Sequence, residues 1–222
     1  MLASAQDGGS RRDRHPISVI HVGTSGWSYP TWRGAFYPGD ARPDTFLGYY
    51  AGRFDTVELN TTGYRLPAED QFRRWADQTP AGFTFAPKLA LYRLDRVGTF
   101  VERVALLGDR LGPIRVLVQN ARDEGLLELL LGSVDPSVRL ALDFRHPSWA
   151  GVELPAAVAV VDDLERASAF RYVRLREPPY SVEEIREVAA RLGGGPETWA
   201  YFKHEDEPTA PGYAERLREL VR

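Results

Sequence analysis

The chain has 222 residues and no cysteine. That absence excludes disulfide bonds, thiolate zinc sites and a cysteine nucleophile. Lysine and asparagine are also scarce: the chain has two of each, although it carries 28 lysines and arginines in total. No apolar run approaches the roughly 20 residues needed to span a bilayer. We therefore expect no membrane partner and a cytoplasmic location.

The net charge of −3 gives no basic excess. A broad duplex-binding face usually carries one, so nucleic acid stays open as a partner but is less favoured than a small anionic ligand. The hydrophobic and charged fractions, 43% and 27%, are typical of a globular domain. The polar segment Met1–Pro16 lacks the apolar stretch of a signal peptide. It predicts a flexible N-terminal tail, with a basic arm that touches a phosphate as the alternative.

Short β-rich runs alternate with helical patterns along the chain. Eight such strands predict a single (β/α)₈ TIM-type barrel over residues 17–222. An open doubly wound sheet is the alternative, but its dinucleotide fingerprint is absent. The segments Pro147–Ala157 and Asp163–Ala169 are short, so we expect reduced helices after the fifth and sixth strands. The predicted strands are Val19–Thr24, Thr56–Asn60, Phe83–Lys88, Ile114–Gln119, Val138–Arg145, Val158–Asp162, Tyr172–Arg176 and Thr198–Lys203.

Charged side chains fall at the carboxyl ends of these strands, where barrel active sites lie. Strand alternation turns apolar residues such as Val57, Leu142 and Val173 outward and their polar neighbours inward. The lysines and asparagines also fall at or just past strand ends. Buried charges are costly unless they are paired, so a ligand site is favoured over a salt-bridged plug. The inward polar set is Glu58, Asn60, Lys88, Gln119, Asp143, Arg145, Asp162, Arg174 and Arg176.

Two histidines, His146 and His204, follow the fifth and eighth strands and could serve as acid, base or ligand. A solvated rim is the alternative for His204, and His21 is interpreted as a core histidine. Ser25, between two glycines, favours a tight turn over a nucleophile. The aromatics that follow it could wall a pocket, stack a base or form a structural lid. They are Trp27, Tyr29, Trp32, Phe36 and Tyr37.

These motifs together resemble the domain-of-unknown-function 72 family, an uncharacterised TIM-barrel family. The resemblance covers nearly everything after Ile17 and implies the barrel fold without an established activity. It is carried by Gly23-Thr24-Ser25-Gly26-Trp27-Ser28-Tyr29, Thr56-Val57-Glu58-Leu59-Asn60, Tyr64-Arg65-Leu66-Pro67, Phe144-Arg145-His146-Pro147-Ser148-Trp149, Tyr172-Val173-Arg174-Leu175 and Tyr201-Phe202-Lys203-His204-Glu205-Asp206.

The chain departs from the family pattern at several points. Asp143 stands where members usually carry Glu. Leu89–Val97 lacks the Thr-His segment that often follows the third-strand lysine. Asn120-Ala121-Arg122 replaces prolines after the fourth-strand glutamine, and the region after Trp149 is shortened. A trimmed, inactive member is therefore one interpretation of the chain.

The favoured interpretation is an enzyme, of hydrolase type if any class is named, that acts on an anionic, phosphate-bearing substrate. Acid/base or divalent-metal-assisted chemistry would do the work. The alternative is a non-catalytic nucleotide or nucleic-acid binding module. The candidate catalytic residues are Glu58, Lys88, Asp143 and His146. The candidate ligand-binding residues are Trp27, Asn60, Tyr64, Gln119, Arg145, Asp162, Arg174, Lys203 and His204.

No cofactor or metal ligand is assigned from the sequence, and no oligomeric state is indicated. A three-zinc site draws on many histidines, and only His146 and His204 lie near strand ends. Carboxylates alone would favour Mg²⁺ or Mn²⁺.

Overall fold

The computed structural model describes residues 19–91, 94–204 and 207–222. The predicted flexible tail, residues 1–16, lies outside the described residues. All eight predicted strands are present, and each predicted boundary lies within two residues of the observed one. The strands are β1 (Ile20–Thr24), β2 (Thr56–Leu59), β3 (Thr84–Ala90), β4 (Ile114–Val118), β5 (Leu140–Phe144), β6 (Val158–Val160), β7 (Phe170–Leu175) and β8 (Glu197–Phe202).

Six α-helices lie between or after these strands in the described part of the chain. The Ser181 side chain accepts from the Glu184 amide while the Glu184 carboxylate accepts from the Ser181 amide, so the two residues form a capping box at the start of α5. Short 3₁₀ turns occupy several connections. The α-helices are α1 (Phe46–Ala51), α2 (Glu69–Asp77), α3 (Val97–Val104), α4 (Glu124–Gly132), α5 (Val182–Leu192) and α6 (Ala210–Leu220).

Every strand pairs in parallel, in two sheets. One sheet has the order β1-β8-β7, and the other runs β2-β3-β4-β5-β6. A single parallel bridge between Ser25 and Glu58 joins β1 to β2. At the other junction, the Asp162 amide donates to the Tyr172 carbonyl at 2.9 Å, which joins the end of β6 to β7. This is an α/β fold of parallel sheets, as the strand–helix alternation predicts.

The strands present two different apolar faces. The outward residues predicted from alternation, including Val57, Leu142 and Val173, belong to a large core shared with the helices. A separate buried cluster lies on the opposite face, where small residues of one sheet pack with aromatic residues of the other. Its members are Ala86, Ala141 and Ala159, with Phe170, Tyr172, Trp199 and Tyr201. The charged site lies on this same inner face, because Tyr172 of this cluster donates to Glu58.

The connections after β5 and β6 contain no α-helix among the described residues, in keeping with the expected reduction. Between β5 and β6, the chain forms only a 3₁₀ turn, Pro147–Trp149. Trp149 stacks on Phe144 with ring centroids 4.5 Å apart and donates from Nε1 to the Asn120 carbonyl at 2.8 Å. One buried indole thus covers the strand where a helix would otherwise pack. No helix in the described ranges is both long and apolar enough to cross a membrane.

Candidate functional site

Glu58 lies at the centre of the site, at the end of β2, and is fully buried. Each of its carboxylate oxygens accepts two hydrogen bonds. Oε1 accepts from Tyr172 Oη at 2.8 Å and from Arg115 Nη1 at 3.0 Å. Oε2 accepts from Ser25 Oγ at 2.8 Å and from Arg174 Nη2 at 2.9 Å. Four donors, two from β7, one from β4 and one just after β1, therefore converge on one carboxylate.

Arg115, on β4, connects Glu58 to a second carboxylate, Asp143 on β5. Its Nε donates to Asp143 Oδ2 at 2.8 Å, and its side chain is only 3% exposed. Arg145 donates to the same Oδ2 from the rim at 2.8 Å, and Arg176 Nη2 lies 3.6 Å from it. These arginine contacts all engage Oδ2 of Asp143, and within the described residues Oδ1 receives no hydrogen bond.

Asp162 completes the network from the loop after β6. Its φ of 68° is in the left-handed region, which few non-glycine residues adopt and which often marks a functional position. In this conformation Oδ1 accepts from the Arg174 amide at 2.6 Å, and Oδ2 pairs with Arg176. Because Arg174 also pairs with Glu58, the contacts form a continuous ring. We call it the ion-pair ring: Glu58, Arg115, Asp143, Arg145, Asp162, Arg174 and Arg176.

Burial and charge act against each other on these groups. Burial alone would raise the pKa of Glu58, but the Arg174 and Arg115 guanidinium groups lower it to about 2. Burial, together with the Glu58 charge, raises the pKa of the Tyr172 phenol, so its proton remains available to donate to Glu58. Burial opposes the charge on Arg115, yet Glu58 raises the pKa of Arg115 overall. Glu58 is therefore a permanent anion near neutral pH.

Cations outnumber carboxylates in this part of the structure. The ring contains four arginines and three carboxylates, and Lys88 on β3 lies directly beside Arg115 in the strand register. Arg174 Nε, Arg176 Nε and Arg176 Nη2 are buried and make no hydrogen bond to any described group. Buried N–H groups without acceptors are costly, so these donors are suited to an incoming anion.

Comparison with known proteins places this arrangement in a family. A family model described as a protein of unknown function, DUF72, matches residues 21–222. The chain belongs to the DUF72 family. The match includes every residue of the ion-pair ring and every strand except the first residue of β1.

Three relatives illustrate the similarity. A DUF72 family protein from Thermotoga maritima has 24% identity and a TM-score of 0.73, over 91% of this chain and 99% of that one. A DUF72 family protein from Enterococcus faecalis has 15% identity and a TM-score of 0.69, over 92% and 98%. UPF0759 protein YecE of Escherichia coli is 29% identical over 143 residues, which are 59% of this chain and 50% of YecE. The two structures show a shared fold.

The predicted site residues of this DUF72 chain separate into an interior group and a rim group. Glu58, Asp143 and Arg174 meet in the ion-pair ring, while Arg145 reaches it from the rim with its side chain 39% exposed. Asn60 lies beside them, because its Oδ1 accepts from Arg115 Nη1 at 3.3 Å. Gln119 and Lys203 are exposed just beyond their strands.

The two candidate histidines lie apart from the ring contacts. His146 is exposed, and its Nδ1 accepts from the Ser148 amide at 3.2 Å, so it caps the Pro147–Trp149 turn. The His204 ring stacks on Tyr29 with centroids 3.4 Å apart. The structure therefore gives His146 a capping position and His204 a packing position.

Trp27 is largely buried and packs edge-on against Trp75 and Phe85. It also lines a cavity of about 340 Å³ that reaches Glu58 and Asn60. The other aromatics of this segment pack closely: Trp32, Phe36 and Tyr37 are buried against one another. The lid interpretation of this segment fits their packing better than a stacking platform does.

Arg115 and Tyr172 are the interior residues that the sequence reasoning missed. Ile114, Val116 and Val118 face the outer core, so the alternation that placed Gln119 inward also places Arg115 inward. Tyr172 was assigned only as the start of a strand. Tyr172 lies two residues before Arg174 on the same strand, so strand alternation predicts that both side chains lie on the inner face.

Groups of three or more histidine, aspartate or glutamate side chains placed to hold a metal ion do not occur within the described ranges. The acidic side chains of the ring are instead each occupied by arginine.

Proposed function

We propose that this protein is an enzyme that binds a phosphate-bearing anion at the ion-pair ring and transforms it by acid/base chemistry. The observation that carries the proposal is the excess of cations there, together with Arg176 Nε, a buried donor that makes no hydrogen bond to any described group. A phosphate oxygen satisfies such donors with charge-assisted hydrogen bonds.

Arg145 and Arg176 are the best placed pair to hold the anion. They approach Asp143 Oδ2 together, and their side chains are the more accessible guanidinium groups of the ring. Arg174, which the sequence also indicates as a ligand-binding residue, is instead engaged with Glu58 and Ser25. We therefore assign Arg174 to positioning Glu58 and Arg176 to the anion.

Asp143 is the candidate for proton transfer, and Glu58 is not. Glu58 accepts four hydrogen bonds and has a pKa of about 2, so it holds the two interior arginines in place. Asp143 Oδ1 accepts no hydrogen bond from the described residues, while the two proposed anion-binding arginines approach the other oxygen, Oδ2. A general acid or base must be within reach of the group that it protonates or deprotonates, and Oδ1 is the oxygen of Asp143 left available for this contact.

We infer further that residues 17–222 form one closed eight-stranded barrel. Two contacts support closure, the Ser25–Glu58 bridge and the Asp162–Tyr172 hydrogen bond, because they join the two sheets at both junctions. The inner cluster, in which alanines of one sheet pack with aromatics of the other, also fits a barrel interior. The carboxyl ends of all the strands then surround the ion-pair ring.

Thermal melts with inorganic phosphate and with glycerol 3-phosphate test the binding step, against chloride at matched ionic strength. We expect both anions to raise the melting temperature of the wild type, since a ligand at 100 times its Kd stabilises by about 2.7 kcal/mol. Arg145→Met and Arg176→Met should abolish the shift. Arg186→Met, which removes an exposed pair with Glu183 on α5, is the matched control and should keep it.

A salt-bridged plug predicts the opposite pattern. Phosphate would then leave the wild type unchanged, and Arg145→Met alone would lower the melting temperature. For the catalytic step, NMR of phosphate esters incubated with protein should show turnover by the wild type and none by Asp143→Asn. Equal turnover by both would remove Asp143 from the mechanism.

A further inference from the structure

Lys88 is held in a defined position on β3. Alternation along the strand turns it to the same inner face as Ala86, and it is 5% exposed. The Thr62 hydroxyl accepts from the Lys88 amide at 3.0 Å and lies 2.8 Å from its carbonyl. Gly63 leaves room for the aliphatic stem, because a Cβ there would lie 2.9–3.1 Å from three Lys88 side-chain carbons.

The ammonium group of Lys88 has an unusual partner. Its Nζ donates to Tyr64 Oη at 3.3 Å and lies 4.4 Å from the Tyr64 ring centroid. No carboxylate among the described residues lies within ion-pair distance of Nζ, whereas every arginine of the ion-pair ring has one. A buried lysine without an acidic partner is the kind that enzymes use as an amine nucleophile.

A cavity of about 580 Å³ adjoins this lysine. Thr62, Gly63 and Tyr64, which all contact Lys88, line this cavity. Its apolar walls are formed by Leu66, Leu89 and Phe100. Tyr64 itself is 78% exposed, so its side chain can move by rotamer changes without disturbing the core. A small rotation of the phenol ring would open a path from this cavity to Nζ and leave Oη beside it.

We propose that Lys88 is a nucleophile that forms an imine with the aldehyde or ketone group of the anionic substrate. The Lys88 ammonium group first gives one proton to solvent water. The Nζ lone pair of the resulting amine then attacks the carbonyl carbon and gives a carbinolamine. The carbinolamine C–O bond then breaks, the carbonyl oxygen leaves as water with both amine hydrogens, and a C=N bond remains. The Tyr64 phenol is placed to donate the proton that the departing hydroxyl needs and to take one from nitrogen. The substrate class is a phosphate-bearing carbonyl compound, so the inference rests on the proposed function.

Borohydride trapping with pyridoxal 5′-phosphate, an aldehyde that carries a phosphate, tests the inference on the intact wild-type chain. The sequence supplies an internal control, because the only other lysine is Lys203, which is exposed. We expect peptide mapping to find Lys88 reduced and labelled at least about tenfold faster than Lys203 or the α-amino group, since the bound phosphate raises the local aldehyde concentration. Label on Lys203 and the α-amino group, with none on Lys88, would overturn the inference.

Two variants and one further probe distinguish the entry of the aldehyde to Lys88 from the proton transfers of imine formation. Lys88→Arg keeps the cation and should lose the label at this position. Tyr64→Phe keeps the ring over Nζ and should slow labelling of Lys88 about tenfold or more if the phenol moves protons. An unchanged rate in Tyr64→Phe would remove the phenol from the step. Pyridoxal, which lacks the phosphate, should label Lys88 with no preference over Lys203.

The outcomes also distinguish this inference from the proposed function. If phosphate stabilises the wild type but Lys88 is not labelled, the proposed anion site is supported and the proposed nucleophilic role of Lys88 is rejected. A different result would be preferential labelling of Lys88 by both aldehydes, with no stabilisation and no competition by phosphate. That result would support the nucleophilic role of Lys88 and reject the proposed phosphate site.

Discussion

Arg115 Nη1 lies 3.0 Å from Glu58 Oε1, and both side chains are shielded from solvent by the surrounding strands. Since Arg115 also donates to Asp143, this one guanidinium group bridges two buried carboxylates on strands that are not neighbours. The pair therefore connects β2 to β5 across the inner face.

Arg115→Met should be strongly destabilising. Removing one partner of a buried ion pair leaves uncompensated charge in the interior, which typically costs about 3–5 kcal/mol. Arg145→Met, which removes a solvent-screened contact with the same Asp143, should cost about 0–1 kcal/mol. Urea denaturation at pH 7 measures both. Equal losses in the two variants would contradict the interior role assigned to Arg115.

Glu58 should make the folded state acid-sensitive. Its pKa falls from an ordinary 4.5 to about 2 on folding, because Arg174 and Arg115 outweigh the opposing effect of burial. A lowered pKa gives stability that is complete above pH 4.5 and is lost as the pH falls from there towards 2. Denaturation at a series of pH values between 5 and 2 follows this loss. Glu58→Gln should be less stable at neutral pH and should show a shallower acid slope; an unchanged slope would argue against the pairing.

His21 should have the opposite pH dependence. Burial acts to lower its pKa, but hydrogen bonds and charge from Asp55 at 2.8 Å and Glu197 at 3.1 Å raise it overall. The stabilisation is then complete below the ordinary value of 6.5 and is lost as the pH rises through the folded-state pKa. NMR titration of the His21 ring measures the pKa directly. His21→Gln should remove this part of the alkaline loss, and a His21 pKa below 6.5 would refute the assignment.

Gly23→Ala should weaken the junction between β1 and β2. A Cβ at Gly23 would lie 2.2 Å from the Thr56 carbonyl oxygen, a backbone atom that cannot rotate away. Overpacking of this kind typically costs about 1–3 kcal/mol. Gly48→Ala is the matched control, because the space around Gly48 on α1 is empty and alanine favours a helix by about 1 kcal/mol. The control should be neutral or more stable, and a tolerated Gly23→Ala would mean that the two strands can separate.

Strand alternation predicted the strands and much of the interior from the sequence, because inward and outward positions differ in polarity. It placed Glu58, Asp143 and Arg174 on one face, where the structure joins them. It could not predict which cation pairs with which carboxylate, since pairing depends on the register between strands and on side-chain length. Arg174 thus reaches across to Glu58 on β2.

Residues beyond the last strand position were harder to place. His146 lies two residues after β5, where the backbone turns at Pro147 and the imidazole caps that turn. Lys88 was recognised as an inward cation, but its lack of an acidic partner depends on the three-dimensional position of every carboxylate around it. No sequence pattern reports such an absence.

Trp149 replaces a helix with a single side chain on the outside of β5. The connection that follows, residues 150–157, has no α-helix of its own and runs mostly along the surface. Longer surface connections are tolerated at small entropic cost. This position is therefore a natural graft point: an added segment or reporter domain could be accommodated there while the indole continues to anchor the strand beneath it.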